Sequence, residues 1–281
     1  RPGEATILSW ETENATRVTI DGIGQIVAAP GEVCVLTADD EGSFTLAGQQ
    51  QFILPEDAIC RLETDLNNNA LIELHGAIEL ATQPGHSTPF SNLPGGTIFG
   101  DGAVVLDNAT LVNHGILTPA SGHQNLLGEL RLVDGNLDQS PTGILEIEIR
   151  GTTPGVDFDR LVVDGTAALA GILDVSLLDD FIPEPGQQFN VLTASELILD
   201  DLTLGGADSA LFDMVVGPGF LSLEFLGPSA DFNGDGAIDE LDYAIWRTNF
   251  GQSTETGSAS GDENGDGRTD GSDFLALQRQ I

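Results

Sequence analysis

Two acidic segments towards the C-terminal end carry the clearest chemical pattern of the chain. The first reads DFNGDGAIDELD over residues 231–242, and the second reads DENGDGRTDGSD over residues 262–273. In both, side chains with oxygen atoms stand at positions 1, 3, 5, 9 and 12, and glycine stands at position 6. This is the spacing of a twelve-residue calcium loop, in which alternate residues aim oxygens at one centre and the glycine allows a sharp turn.

The predicted ligands form two equivalent sets of six. Position 7 supplies a backbone carbonyl, and the other five positions supply side-chain oxygens. The first set is Asp231, Asn233, Asp235, Ala237, Asp239 and Asp242; the second is Asp262, Asn264, Asp266, Arg268, Asp270 and Asp273. Ca²⁺ takes about six to eight hard oxygen ligands, so each set suits one ion. The expected cofactor is two Ca²⁺ ions per chain.

A helix is predicted after each loop, because the residue at position 12 must lie one turn into a helix to close the coordination shell. The two segments are Glu240–Phe250 and Gly271–Ile281, and their apolar residues repeat at an offset of 31. The alternative is a pair of solvated acidic turns whose spacing arose by chance. Two complete loops, each with its glycine and trailing helix, argue against that alternative.

The duplicated loop–helix units have Asp at position 12 and no clear helix before the first loop. In both respects residues 231–281 resemble the dockerin type I repeat. The resemblance implies an extracellular module that folds on binding two calcium ions and docks to cohesin domains. Dockerins commonly join carbohydrate-active enzymes to a scaffold. In the best-known cohesin binders, small hydroxyl residues at positions 10 and 11 contact the partner. Here these positions hold Glu240-Leu241 and Gly271-Ser272, so the two halves are expected to present different faces.

The charge of the chain restricts its partners. It has 45 acidic and 9 basic residues, a formal net charge of −36, and no lysine. Nucleic acids and anionic lipids need cationic side chains to neutralise their phosphates, so neither is an expected partner. No apolar stretch approaches the roughly 18 residues that span a bilayer, so membrane insertion is not expected. A start at Arg1 without a signal segment predicts a mature or excised fragment of a protein secreted to the bacterial cell surface.

The chain before the acidic loops has the pattern of a β protein. Between about residues 15 and 226, short apolar–polar alternations are separated by Gly, Asn, Asp or Pro. This period of two predicts half-buried strands, and no stretch shows a convincing helical period. The periodicity alone is compatible with a β-sandwich, a β-barrel or a β-solenoid. Short strands and Gly or Asn corners, as in residues 108–115, favour a solenoid, whose rungs bury their inward faces on one another.

Four segments add a family resemblance to this pattern. Residues 95–122, 143–151, 158–178 and 185–194 look like the autotransporter-type β-helix repeats of bacterial secreted proteins. The resemblance implies a right-handed β-solenoid that ends in a capping segment around Leu211–Leu226. The stretch Ala5–Asp21 resembles part of bacterial immunoglobulin-like modules instead.

The predicted organisation has four parts. Residues 1–50 are extra solenoid rungs or a truncated immunoglobulin-like module, and residues 51–226 are the solenoid with its cap. Residues 227–230 are a linker, and residues 231–281 are the dockerin-like module. The two cysteines, Cys34 and Cys60, are either disulfide-bonded or two buried thiols.

The β region shows no catalytic signature. Glu146 and Glu148 lie at i and i+2 of one predicted strand, and paired carboxylates can hydrolyse a glycosidic bond. Charged residues at alternate positions of a strand more often form its solvent-exposed face than an active site, so these two glutamates are only weak catalytic candidates. Asp157, Asp159 and Asp164 are expected in polar turns beside a strand. No histidine pair has zinc-site spacing, and no nucleophile elbow or phosphate loop is present.

The sequence therefore predicts a secreted calcium-binding protein whose dockerin-like module anchors a non-catalytic β-solenoid to an extracellular or cell-surface assembly. The expected partner is a cohesin-like protein, with a polysaccharide as a further candidate. One alternative is a glycoside hydrolase or lyase acting on polysaccharide and anchored by the dockerin. A second is a structural adhesin stalk in which calcium only folds the C-terminal cap. The fold alone does not choose among them.

Overall fold

The structure, a computed structural model, describes residues 17–18, 25–27, 33–36, 43–80, 90–119, 127–227, 230–233, 238–253, 260–262 and 267–274. The chain divides into two compact units. Unit 1 comprises residues 1–182, 189–209 and 214–223; unit 2 comprises residues 183–188, 210–213 and 224–281. In the described part of the chain, no helix is long and apolar enough to cross a membrane.

The described residues are mainly β and contain nineteen strands. In chain order the strands are β1 (Arg17–Val18), β2 (Gln25–Val27), β3 (Val33–Leu36), β4 (Ser43–Leu54), β5 (Ile59–Leu62), β6 (Asp65–Leu74), β7 (Ala77–Leu80), β8 (Phe90–Asn92), β9 (Thr97–Phe99), β10 (Ala103–Val105), β11 (Thr110–Asn113), β12 (Ile116–Thr118), β13 (Glu129–Val133), β14 (Asn136–Gln139), β15 (Ile144–Ile149), β16 (Arg160–Leu177), β17 (Gln188–Gly205), β18 (Phe212–Gly217) and β19 (Phe220–Phe225).

Strands β1 to β17 pair in parallel in three columns, each strand with those one circuit earlier and later in the chain. The first column contains β1, β4, β6, β8, β11, β14 and the middle of β16 and β17. The second contains β2, the ends of β4 and β6, then β9, β12, β15 and the ends of β16 and β17. The third contains β3, β5, β7, β10, β13 and the beginnings of β16 and β17. This all-parallel arrangement is consistent with a β-helix.

The core is built from side chains that stack in register from strand to strand. In the third column, Cys60 lies opposite Ile78, Ile78 opposite Val104, and Val104 opposite Leu132. All four are fully buried. Because side chains alternate between the two faces of a strand, the period-two pattern places these residues inside, and a slip of one residue would expose them.

Four strands, β4, β6, β16 and β17, pass through more than one column, because the chain turns corners without leaving the extended conformation. β16 runs from Arg160 to Leu177 through all three columns, with register shifts between Val163 and Thr166 and between Leu169 and Gly171. The stretches Leu161–Val163 and Ile172–Leu178 have the alternation of two separate strands, but this one strand contains the first and all of the second except Leu178.

Close backbone contacts at some corners require glycine. A Cβ on Gly76 would lie 2.1 Å from the carbonyl oxygen of Ala58, and one on Gly102 would lie 2.3 Å from that of Gly76. Real Cβ atoms do not approach backbone so closely, so these corners can stack only without side chains.

A ladder of buried amides, not predicted from the sequence, follows the corner between the first and second columns. Asn68 donates to Asn92 at 2.8 Å, Asn92 to Asn113 at 2.8 Å, and Asn113 to Gln139 at 3.3 Å. Gln139 then donates to the carbonyl of Ala170 at 2.8 Å. None of the four amide side chains is more than 1% exposed. The ladder therefore satisfies polar groups inside the core and links five successive circuits.

The parallel columns end where β19 pairs with β17. In unit 1, the N–H of Ala194 donates to the carbonyl of Gly219 at 2.9 Å. Strands β18 and β19 occupy the segment around Leu211–Leu226 that the sequence predicts to be a cap.

At the other end of the columns, Cys60 is disulfide-bonded. The only other cysteine of the chain is Cys34, whose backbone lies opposite Cys60 in the register of β3 and β5. Of the two states left open by the sequence, the structure contains the disulfide.

Candidate calcium and docking site

The helix after the first acidic segment begins where the calcium loop requires. Helix α1 spans Glu240–Asn249, with Asp239 as its N-cap, and Asp239 and Asp242 form a reciprocal capping box. The side chain of Asp239 accepts an N–H of the first turn, while the side chain of Asp242 accepts the N–H of Asp239. Acidic residues in the first turn and Arg247 in the last turn also favour the helix dipole.

The same hydrogen bonds recur 31 residues later. The N–H of Asp239 donates to Asp242 at 2.8 Å, and the N–H of Asp270 donates to Asp273 at 2.7 Å. The carboxylates of Asp239 and Asp270 each accept the N–H two residues further on, both at 2.8 Å. Residues 271–274 are helical. The sequence repeat is therefore also a structural repeat at the start of each exiting helix.

Eight of the twelve predicted ligands lie in the described part of the chain: Asp231, Asn233, Asp239, Asp242, Asp262, Arg268, Asp270 and Asp273. The other four, Asp235, Ala237, Asn264 and Asp266, lie outside the described residues. In the first segment, Asp242 also accepts the N–H of Asn233 at 3.1 Å, which gathers positions 3, 9 and 12. In the second, Asp262 accepts the N–H of Gly267 at 2.9 Å, which joins positions 1 and 6. No group of three potential metal-binding side chains is found among the described residues alone.

Three of the eight described ligands are buried carboxylates. Asp242 and Asp273 are 0% exposed and Asp262 is 1% exposed. Burial raises the pKa of Asp242, but N–H donors from Asp239, Asn233 and Phe232 outweigh burial and lower that pKa below its usual value. Buried ionised carboxylates are costly unless a cation or several hydrogen bonds compensate them. A donor set of carboxylate, amide and carbonyl oxygens fits Ca²⁺.

The two repeats share a small aromatic core. Ala230 and Phe232 are buried, and Ile238, Tyr243, Ile245, Trp246 and Phe274 pack against them. The rings of Trp246 and Phe274 stack with centroids 4.6 Å apart. Since Phe274 follows Asp273 directly, this core holds both exiting helices next to their predicted position-12 ligands.

Position 11 differs between the two repeats in size and polarity. Leu241 is 59% exposed, and Ser272 is its counterpart. Leu241 lines a shallow groove of about 490 Å³ along α1, together with Asn233, Ala244, Ile245, Thr248 and Asn249. The first repeat therefore presents an apolar surface where the best-known cohesin binders carry hydroxyl groups.

Glu146 and Glu148, the weak catalytic candidates, both lie partly exposed on β15. The backbone of Glu146 pairs with that of Asp174 on β16. Burial, and then the charges of Asp174 and Glu148, raise the pKa of Glu146. Burial also raises the pKa of Glu148, and Arg150 partly offsets the rise. The two glutamates are thus brought together on one outward face.

The three aspartates near this strand differ in burial. Asp164 is exposed and Asp157 is half-buried, whereas Asp159 is fully buried. Asp159 accepts the N–H of Gly128 and the N–H of Glu148, both at 3.0 Å. Its carboxylate is therefore a bridge between neighbouring circuits, which the expectation of a polar turn did not foresee.

Asp159 should make the stability of unit 1 depend on pH. Burial raises its pKa to about 7, while its two N–H donors lower it and the nearby glutamates raise it. The unfolded chain releases this proton near pH 4 and the folded chain near pH 7, so stability should fall as pH rises between them, by on the order of 4 kcal/mol.

The check is denaturant unfolding followed by the β-sheet circular dichroism signal at fixed calcium. Asp159→Asn should remove this fall in stability, and the same change at exposed Asp164 should retain it. Parallel pH profiles for the wild type and Asp159→Asn would contradict the prediction.

One charged cluster outside these sites was not found from the sequence. The ring of His75 contacts Asp101 at 2.6 Å and Glu73 at 3.2 Å. Burial lowers the pKa of His75, but the hydrogen bonds and charges of Asp101 and Glu73 raise it above its ordinary value. The only sequence signal was the i, i+2 spacing of Glu73 and His75, because Asp101 comes from the next circuit.

Comparison with known protein families bears on the C-terminal segment. Residues 229–281 match the family model of the dockerin type I domain, which confirms the resemblance seen in the acidic loops. Type I dockerins bind calcium and dock to cohesins, and proteins that contain them are typically extracellular or assembled at the cell surface. No curated protein matches the chain.

Proposed function

We propose that this chain is a secreted calcium-binding protein whose C-terminal module docks a non-catalytic, right-handed β-solenoid into an extracellular or cell-surface assembly. One observation carries the proposal: the paired helix starts, each with a buried position-12 aspartate that accepts an N–H from position 9. Together with the dockerin match at residues 229–281, this observation supports cohesin-mediated anchoring.

Two Ca²⁺ ions would be held by the two predicted ligand sets. Bound calcium supplies the charge that neutralises the buried carboxylates. The chain itself supplies Asp242 and Asp273 at the helix starts and Asp262 at the start of the second loop. In the folded module, their hydrogen bonds to backbone N–H groups fix the orientation of these carboxylates, which is the usual role of an outer shell around a metal site.

The proposed domain division keeps residues 1–50 as solenoid rungs. Support comes from β1, β2 and β3, which pair in parallel with β4 and β5 in the same three columns as the later strands. Residues 51–226 form the remaining solenoid with its cap, residues 227–230 the linker, and residues 231–281 the docking module.

The proposed solenoid role is non-catalytic. Glu146 lies opposite Asp174 of the neighbouring strand, and neither Glu146 nor Glu148 lines the groove along α1 or the open groove beside Gly48 and Gly95. The second candidate function is polysaccharide hydrolysis or lysis. It is favoured by the raised pKa values of Glu146, Glu148 and Asp159, because shifted carboxylates concentrate at active sites. Release of reducing ends or unsaturated products from plant or algal polysaccharides would establish the enzymatic alternative.

Docking is tested by measuring the binding of the full chain to a panel of cohesin modules, in calcium and in chelator. Binding to at least one cohesin is expected in calcium and not in chelator. If the apolar groove of the first repeat is the contact, Leu241→Asp should weaken binding about tenfold or more, as the loss of a central interface anchor does.

The matched control is Ile182→Asp, which places the same charge at an apolar residue of unit 1 that is 76% exposed and should leave binding unchanged. No binding to any cohesin in calcium would contradict docking, and binding that persists in chelator would contradict its dependence on calcium.

A further inference from the structure

The second predicted calcium loop rests on helix α1, which belongs to the first repeat. Gly261 directly precedes the position-1 residue Asp262, and a Cβ on Gly261 would lie 2.8 Å from the Cα of Trp246. The side chain of Asn249 donates to the carbonyl of Ser260 at 2.9 Å. The beginning of the second loop is therefore held against the C-terminal half of α1.

The end of the same loop is held by α1 and the residues that follow it. The indole N–H of Trp246 donates to the carbonyl of Asp270, the predicted position-9 ligand, at 2.8 Å. The N–H of Gly251 donates to the carbonyl of Thr269 at 2.7 Å. In return, the N–H of Thr269 donates to the carbonyl of Gln252 at 3.2 Å. Thr269 is fully buried. The backbone of Trp246 thus lies close to Gly261, which directly precedes the second loop, and its ring contacts the loop itself at Asp270.

Helix α1 is also tied to the first loop. Its first turn contains Asp242, the predicted position-12 ligand, whose carboxylate accepts N–H groups from Asn233 and Asp239. Helix α1 therefore contains a predicted ligand of the first site, Asp242, in its first turn. It also contains Trp246, which contacts the second loop. Ordering of the first loop fixes the start of α1, and α1 places Trp246 against the second loop.

On the basis of the proposed calcium function, we propose that Trp246 is a positioning residue that couples the two loops, so that calcium at one loop strengthens calcium binding at the other. A loop whose backbone is already held loses less conformational freedom when it binds an ion. Coupling of this kind is reciprocal, because each ion changes the affinity for the other by the same factor. The indole N–H carries the coupling through the backbone of Asp270.

The test is a set of calcium titrations on the full chain by calorimetry. Asp262→Ala leaves only the first loop and Asp231→Ala leaves only the second, which gives two single-loop binding constants. The product of the two constants of the intact chain, divided by the product of the single-loop constants, is the coupling factor. The same three titrations are then repeated with Trp246→Phe, which keeps an aromatic ring and removes the N–H. A purely structural loss that weakens a loop equally in both contexts cancels in this ratio.

We expect a coupling factor clearly above one in the wild type and a fall of about three- to tenfold in Trp246→Phe, as for the loss of one hydrogen bond. The matched control is Tyr243→Phe, which removes a hydroxyl from the same helix and keeps its ring; its coupling factor should equal that of the wild type. Should Trp246→Phe fail to fold, benzothienylalanine at position 246 replaces the N–H by sulfur at nearly the same shape and should give the same fall.

An unchanged coupling factor in both position-246 variants, or a factor of one in the wild type, would overturn the coupling and leave two-site calcium binding intact. Absence of calcium binding in every variant would overturn both the coupling and the proposed function.

Discussion

Removal of calcium is expected to unfold the C-terminal module and leave the parallel columns of unit 1 folded. Without a cation, the buried carboxylates of Asp242, Asp262 and Asp273 would lack a counter-charge, and hydrogen bonds from N–H groups alone compensate buried charge poorly. In small metal-folded modules the binding energy is also the folding energy. Chelation should therefore abolish the helical circular dichroism signal of α1 and expose Trp246, with little change in the β-sheet signal.

The double variant Asp231→Ala/Asp262→Ala should reproduce this loss in saturating calcium, because each substitution removes the position-1 ligand of one loop. The control is Asp138→Ala/Asp200→Ala, which deletes the same number of carboxylates from exposed positions of unit 1. A helical signal that is the same in chelator and in calcium would show that the module folds without the ion.

Replacement of Asn92 by Ala is expected to lower the free energy of unfolding of unit 1 by about 2–5 kcal/mol. Asn92 is in the middle of the amide ladder, where it accepts from Asn68 and donates to Asn113 and to the carbonyl of Ile116. Its loss leaves buried groups on both sides without their partner, and each such group costs about 1–3 kcal/mol.

Urea unfolding in calcium-saturated buffer, followed by the β-sheet signal, measures this effect. Asn69→Ala is the matched control, because Asn69 is exposed on β6 beside the buried Asn68, and it should change stability by less than about 0.5 kcal/mol. Equal stabilities for the two variants would mean that the ladder does not hold the circuits together.

The sequence predicts those features of the β architecture that depend on local alternation of apolar and polar residues. Alternation in Ile144–Ile149 predicts a strand with the bounds that the structure has. The amide ladder was not predicted, because its steps of 24, 21 and 26 residues follow no fixed period. The unbroken course of β16 through Gly165 and Gly171 was missed because glycine at a corner reads as the end of a strand.

In the candidate calcium site, too, local features could be predicted from the sequence and contacts between distant residues could not. The calcium loops could be predicted because each ligand set lies within twelve consecutive residues, and the dockerin match confirms their family. The contact between Trp246 and Asp270 spans 24 residues and depends on how α1 packs, which residue spacing does not encode. The ligand sets, the two ions and the right hand of the solenoid stay predictions.

The most direct test of two-site calcium binding is a calorimetric titration of calcium into the full chain after chelator has been removed. Two ions are expected to bind per chain, and the helical signal is expected to return as they bind. Asp231→Ala and Asp262→Ala should each remove one site. No heat of binding and no change in helicity at millimolar calcium would contradict calcium binding by this module.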